Sequence, residues 1–189
     1  MSWVAPIKIA TITVAAIISP AQIVHAQSPG NYGNYGNYGN DPFVRVSSAI
    51  AGCPEPAGPR VSQDAWKREA HHRIEEGNHC YMEGRCRLPN AYQYDHEIAE
   101  SLPRRLDDLR RTLPAWQNSS LWITVRGRWL TVQGCVPPGF DHAAFLAAMR
   151  QIPDVEKVID QTTATPARGV PYARYPSSSA PGASNTPNR

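Results

Sequence analysis

The stretch LWITVRGRWLTVQGCV, from Leu121 to Val136, decides the fold of this chain. Apolar and polar residues alternate on both sides of Arg126-Gly127, and alternation with β-branched and aromatic residues is typical of strands. The sequence therefore predicts a β-hairpin with a two-residue turn at Arg126-Gly127, in which Ile123 pairs with Leu130. In this register one face of the hairpin carries four aliphatic residues, Leu121, Ile123, Leu130 and Val132.

The opposite face of the hairpin carries two tryptophans and a cysteine, which is unusual for an isolated small domain. Its residues are Trp122, Thr124, Trp129, Thr131, Gln133 and Cys135. We expect an extension that precedes the hairpin to cover this face, with Trp66 and Ile74 packed against the two tryptophans.

The first 26 residues have the three parts of a secretory signal peptide. Lys8 supplies the positive charge, an apolar run follows, and Val24-His25-Ala26 resembles a cleavage site. The apolar run is too short to span a bilayer. We therefore expect a periplasmic protein that does not span the membrane after signal removal, with membrane association as the alternative. Without Lys8 the chain keeps 18 of its 19 basic residues against 16 acidic ones, a balance that does not indicate nucleic-acid binding.

Four cysteines in an exported chain indicate disulfides rather than metal ligands. Four cysteines allow three pairings, of which we favour Cys80–Cys86 as a short loop and Cys53–Cys135 as a long-range link. The nearby histidines lack the spacing of a Cys/His zinc site, so no metal and no cofactor are predicted.

The sequence divides into five segments. Residues 1–26 are the predicted signal peptide, and residues 27–52 are a low-complexity linker with an Asn-Tyr-Gly repeat. Residues 53–93 form a helical extension that contains cysteines, and residues 94–163 form an α/β domain. Residues 164–189 are rich in Pro and Ser, contain no acidic residue, and are predicted to be disordered.

Local patterns predict three helices and one further strand beside the hairpin. The first helix lies between a Ser62 cap and Gly77. The second covers residues 95–112, with Asp95 as its cap and Pro103 expected to kink or restart it. A third helix follows Asp141, and residues 155–159 are predicted to form a strand.

The order helix, strand, turn, strand, helix, strand over residues 95–161 resembles the BON domain of bacterial envelope proteins. The resemblance rests on VRGRWLTVQGCV at residues 125–136, which is similar to the family pattern V-x-N-G-x-V-x-L-x-G-x-V, and on residues 152–158. Gly127 matches the turn and Gly134 the end of the second strand, whereas Arg126 stands where Asn is usual and Asp154 where Gly is usual. The resemblance covers about a third of the chain.

The resemblance implies an α+β fold, a small αββαβ sandwich with two helices on one face of a three-stranded sheet. The rest of the sequence adds an N-terminal disulfide-linked helical extension and disordered arms. It also implies a non-catalytic protein that binds anionic phospholipid or docks to an envelope protein. A structural subunit of an envelope or secretion assembly, docking through the sheet edge or the tryptophan face, is the alternative. The sequence contains no catalytic motif, and no small-molecule substrate is predicted.

Arginines are the candidate lipid-binding residues because anionic headgroups attract clustered basic side chains. The predicted patch consists of Arg104, Arg105, Arg110, Arg111, Arg126 and Arg128. Asp107 and Asp108 lie among them, so a solvated and partly salt-bridged helix face is the competing interpretation.

Overall fold

The predicted hairpin forms the centre of a four-stranded sheet. The computed structural model describes residues 35–174 of the 189-residue chain, and the predicted signal peptide lies outside them. The strands are β1 (Tyr35–Gly36), β2 (Phe43–Arg45), β3 (Val61–Ser62), β4 (Ser120–Arg126), β5 (Trp129–Cys135) and β6 (Lys157–Thr163). The helices are α1 (Gln63–Glu75), α2 (Asn78–Met82), α3 (Ala91–Thr112) and α4 (His142–Met149). Short 3-10 helices occupy Pro114–Asn118 and Pro166–Arg168.

The main sheet has the strand order β2-β4-β5-β6, and β1 pairs separately with β3. Strands β2, β4 and β5 are antiparallel neighbours, whereas β6 runs parallel to β5. The mixed α+β fold is confirmed, but the sheet gains a fourth strand. That strand, β2, comes from residues that the sequence assigned to the linker.

The turn of the hairpin lies one residue later than predicted. Gly127 and Arg128 are the two turn residues, and both have positive φ, 59° and 63°. Ile123 consequently pairs with Val132, so its predicted pairing with Leu130 is wrong. Because the register changes by two residues, every side chain stays on its predicted face.

Helices α3 and α4 pack on the aliphatic face of the sheet and enclose the core. Five strand residues are fully buried there, Leu121, Ile123, Val125, Leu130 and Val132. Helix α3 adds Ile98, Leu102, Leu106 and Leu109, and α4 adds Phe145, Ala148 and Met149. This is the two-helix layer that the sequence predicts for one face of the sheet.

Helix α3 is longer than the sequence pattern predicts, and Pro103 does not interrupt it. Its cap is Asn90, whose side chain accepts a hydrogen bond from the backbone N–H of Gln93. The predicted cap, Asp95, instead lies inside the helix and points into the protein. Because Leu102 and Leu106 are buried on either side of Pro103, packing against the sheet compensates for the hydrogen bond that proline removes.

The helix caps at Ser62 and Asp141 agree with the sequence prediction, whereas the limits of β6 differ from it. Ser62 accepts a hydrogen bond from Ala65 N at the start of α1, and Asp141 accepts one from Ala144 N at the start of α4. Strand β6 begins two residues later than predicted and extends to Thr163.

The second face of the sheet is covered by parts of two segments, which together we call the basic layer. One is residues 43–60, which begin with β2 and continue irregularly, and the other is residues 164–174. Cys53 lies at disulfide distance from Cys135, with their Cα atoms 5.8 Å apart. Ala57 N donates a hydrogen bond to Ala173 O at 2.8 Å, which ties the two segments together. In place of a disordered linker and tail, parts of both therefore lie on the sheet.

Trp122 is buried, 3% exposed, but α1 does not cover the tryptophans as predicted. Trp66 packs instead on Tyr38, with ring centroids 5.7 Å apart, and Ile74 is 54% exposed. The second predicted cysteine pair, Cys80–Cys86, is also at disulfide distance, with Cα atoms 5.2 Å apart. The two pairs favoured by the sequence are the two that the structure brings together.

Gly134 is the position at which the sheet tolerates a side chain least. It has a φ of 131°, and a Cβ atom there would overlap the carbonyl oxygen of Ser120 on the neighbouring strand. We expect Gly134→Ala to lower the free energy of unfolding by about 4 kcal/mol or more, measured by denaturant titration. The control, Gly52→Ala, also has positive φ (72°) but open space, and should cost about 1 kcal/mol. Equal losses at both positions would contradict the steric explanation.

Candidate functional site

The six arginines of the predicted lipid-binding patch lie in two separate groups. The hairpin turn, with Arg126 and Arg128, contacts α3 at Asp95, since Arg128 N donates a hydrogen bond to its carboxylate. The helical arginines begin with Arg104, nine residues further along α3. At a rise of 1.5 Å per residue this corresponds to a separation of roughly 13 Å or more. The structure therefore does not bring all six together.

Four of the six arginines form ion pairs. Arg110 pairs with Asp107 at 2.9 Å and Arg111 with Asp108 at 2.6 Å, while Arg126 pairs with Glu69 and Arg128 with Glu156. Helix α3 as a whole carries four arginines and five carboxylates, a net charge of −1. On the helix face itself, two of the four arginines are therefore salt-bridged.

The remaining two arginines line a groove of about 210 Å³ between α3 and the end of α4. Arg104 donates a hydrogen bond to the Ser101 hydroxyl, and Arg105 donates one to the carbonyl oxygen of Ala148. Neither pairs with a carboxylate among residues 35–174. The groove is therefore the part of the predicted patch in which no carboxylate of the described residues neutralises the arginines.

A buried ion cluster joins the N-terminal segment, α1, α3 and the hairpin turn. Arg73 Nη2 lies 2.6 Å from Asp41 Oδ1 and 2.7 Å from Asp95 Oδ2, and all three residues are at most 4% exposed. Asp95 also accepts hydrogen bonds from the backbone N–H groups of Gly127 and Arg128, at 2.8 and 2.6 Å. Both carboxylate oxygens of the buried Asp95 side chain thereby accept hydrogen bonds. The cluster connects the N-terminal segment, α1, α3 and the hairpin turn.

Burial raises the pKa of Asp95 above its ordinary value. The backbone N–H groups of Arg128 and Gly127 and the charge of Arg73 oppose this rise but do not cancel it. Burial lowers the pKa of Arg73, but Asp41 and Asp95 raise it by more. The pKa of Arg73 is therefore above its ordinary value, and the guanidinium stays charged.

The basic layer carries arginines that are not among the predicted lipid-binding residues. Arg45, Arg168 and Arg174 are exposed, and none of them pairs with a carboxylate in the described part of the chain. Glu55 is the only acidic residue of residues 43–60 and 164–174. The layer therefore presents positive charge that the protein itself does not neutralise.

The half of the second face that the basic layer leaves open shows an exposed tryptophan. Trp129 is 46% exposed, and the Lys157 ammonium nitrogen lies 4.5 Å from the centroid of its ring. Ile159 is half-buried beside them on β6. An amphipathic ring next to a cation, on the same side as the basic layer, is typical of surfaces that meet a partly apolar, partly charged partner.

Within residues 35–174 the structure has no group of three His, Cys, Asp or Glu residues arranged to hold a metal ion. The same residues include no helix with the length and apolarity needed to cross a bilayer. Comparison of the chain with protein families, with curated proteins and with solved structures gives no match. Membership of the BON family therefore stays a prediction from the sequence.

The raised pKa of Asp95 predicts a pH-dependent contribution to stability. Because the folded state binds this proton more tightly than the unfolded state, ionisation of Asp95 above about pH 4 costs stability. We expect the free energy of unfolding of the unsubstituted protein to fall, relative to that of Asp95→Asn, as pH rises from about 4 to 7. Asp107→Asn, at an exposed site, should give no such change. Parallel stability curves for the protein and Asp95→Asn would contradict this assignment.

Proposed function

We propose that this chain is a non-catalytic exported protein of the cell envelope whose BON-like domain binds anionic phospholipid, and that the basic layer forms the contact. The observation that carries the proposal is the difference between the two sides of the sheet. On the helical side Arg110 and Arg111 are ion-paired and α3 is net acidic. On the other side Arg45, Arg168 and Arg174 have no acidic partner among the described residues.

Unpaired charge matters because a cation already held by a carboxylate gains little from an anionic headgroup. Each basic residue near an anionic leaflet contributes about 1 kcal/mol, and this attraction falls off within a Debye length. Trp129 adds an apolar contact of the kind that places tryptophan rings at the membrane interface. Charge and an aromatic ring on one side of the sheet together favour a lipid surface over a soluble polyanion.

Binding to vesicles with and without anionic lipid, measured against salt, tests this proposal. The double variant Arg168→Gln/Arg174→Gln should weaken binding to anionic vesicles by about 2 kcal/mol, or roughly thirtyfold. The matched control Arg110→Gln/Arg111→Gln removes two helical arginines that are ion-paired and should change binding little. A larger loss in the control would assign lipid binding to α3, and binding that salt does not weaken would contradict the electrostatic contact.

A second candidate function, a structural subunit of an envelope assembly, is favoured by the edge of β6. Asp160 accepts a hydrogen bond from Thr162 N, so this N–H points away from β5. Strand alternation then places the N–H and C=O groups of Val158 on the same outer edge. A second copy of the chain could pair there, with Ile159 and Trp129 beside it.

Sedimentation velocity over a range of protein concentrations tests this second candidate. Assembly through β6 should appear as concentration-dependent oligomers that persist in high salt, because an apolar contact is not screened. Ile159→Lys adds a charge to the edge strand and should return the chain to a monomer. A monomer at every concentration would exclude self-assembly through this edge.

A further inference from the structure

The groove between α3 and α4 is lined by two guanidinium groups that no carboxylate of the described residues neutralises. Arg105 is tied to the end of α4 through Ala148 O at 2.9 Å and through the side chain of Gln151. Arg104 is tied to Ser101 Oγ at 3.0 Å within its own helix. Both ties are to neutral groups, so each guanidinium keeps its full charge.

Most of the donors of these two arginines remain available. A guanidinium has five N–H donors, of which the described contacts use two on Arg105 and one on Arg104. Asp108 is the only acidic residue that lines the groove, and it is paired with Arg111 at 2.6 Å. The charge facing the groove is therefore positive.

The remaining wall of the groove is apolar and well ordered by packing. Ile152 belongs to the core and is 3% exposed, and Pro153 follows it. At about 210 Å³ the groove is smaller than a typical pocket for a drug-sized ligand, so it fits only a small group.

We propose that this groove is a binding site for a small oxyanion, a phosphate group above all, held by Arg104 and Arg105. Planar guanidinium forks match the oxygens of phosphate and carboxylate, and paired hydrogen bonds give such contacts their specificity. The site goes beyond the proposed lipid contact, because α3 and α4 lie on the face of the sheet opposite the basic layer. One chain can thus hold an oxyanion on its helical side while the basic layer is occupied.

Titration of the full chain with sodium phosphate at constant ionic strength, followed by NMR of the arginine Nε–H signals, tests the site. We expect saturable shifts at Arg104 and Arg105 that sodium chloride does not produce. Arg104→Gln should weaken phosphate binding about tenfold, since it removes a charged hydrogen-bond donor. Arg110→Gln, which lies outside the groove lining, is the matched control and should leave binding unchanged. Non-saturable shifts, or equal weakening in both variants, would overturn the proposal.

Arg104 is the better position for this test because its described hydrogen bond is to Ser101 in the preceding turn. Replacing Arg105 removes its bonds to α4, so a loss of binding there could reflect unfolding. Thermal unfolding of Arg104→Gln should match that of the unsubstituted chain. Loss of phosphate binding with an unchanged melting temperature supports the site, and retained binding in the folded variant overturns it.

Two further arms identify the source of the oxyanion and separate this site from the lipid contact. Tighter binding of glycerol 3-phosphate than of inorganic phosphate would indicate a headgroup, and the reverse would indicate free phosphate. Arg104→Gln should keep its affinity for anionic vesicles, and Arg168→Gln/Arg174→Gln should keep its affinity for phosphate. Loss of vesicle binding in Arg104→Gln would leave the groove as an oxyanion site and contradict the basic layer as the lipid contact.

Discussion

One buried carboxylate connects the parts of this protein that the sequence treats as separate. Asp95 lies in α3, accepts the two N–H groups of the hairpin turn, and binds Arg73 of α1. Arg128 has positive φ, which costs free energy for a residue with a side chain. Two charge-assisted hydrogen bonds to the turn offset that cost. The position of the hairpin turn, and with it the register of the sheet, therefore depends on a side chain that lies 32 residues before Gly127 in the sequence.

The same cluster fixes the position of the third copy of the Asn-Tyr-Gly repeat, residues 37–39. In the third copy, Asn37 donates a hydrogen bond to Asp41 O and accepts one from Asp41 N, and Gly39 passes so close to Arg73 that a Cβ would crowd its guanidinium. The three copies are identical, but only Asn37 is followed four residues later by an aspartate. Because Asp41 pairs with the buried Arg73, the ion pair fixes the copy that is bonded to Asp41, residues 37–39. A buried polar contact here specifies the structure, which is the best-attested role of such contacts.

Local patterns predicted the parts of the fold that local physics determines. Alternation along residues 121–136 gave the correct face for every hairpin residue, and Ser62 and Asp141 cap their helices as expected. The turn position was wrong because Arg126-Gly127 and Gly127-Arg128 are both two-residue turns with one glycine. The carboxylate of Asp95 accepts both N–H groups of the Gly127-Arg128 turn, and no local pattern contains that contact.

The basic layer could not be predicted because its composition is that of a disordered chain. Residues 43–60 and 164–174 are rich in Gly, Pro, Ala and Ser, and their order comes from contacts with the sheet and with each other. Sequence reasoning chose clustered arginines on a helix, yet clustering on a helix also brings carboxylates within three residues, as Asp107 and Asp108 show. The sequence feature that indicated unpaired positive charge in residues 164–174 was the absence of acidic residues after Asp160.

The link between Cys53 and Cys135 holds the part of the basic layer that lies beyond the β2–β4 contacts. Segment 164–174 has one buried side chain, Tyr172, and its hydroxyl donates to Pro54 O beside Cys53. The second segment is therefore held by the first, and the first is held to β5 by the cysteine pair. A link across 82 residues restricts the unfolded chain by about 4–5 kcal/mol in the loop-closure treatment. Since Arg168 and Arg174 are carried by a segment with one buried side chain, a reducing environment would weaken this part of the surface before it weakened the core. The proposed binding surface thus depends on the oxidising compartment that the sequence predicts.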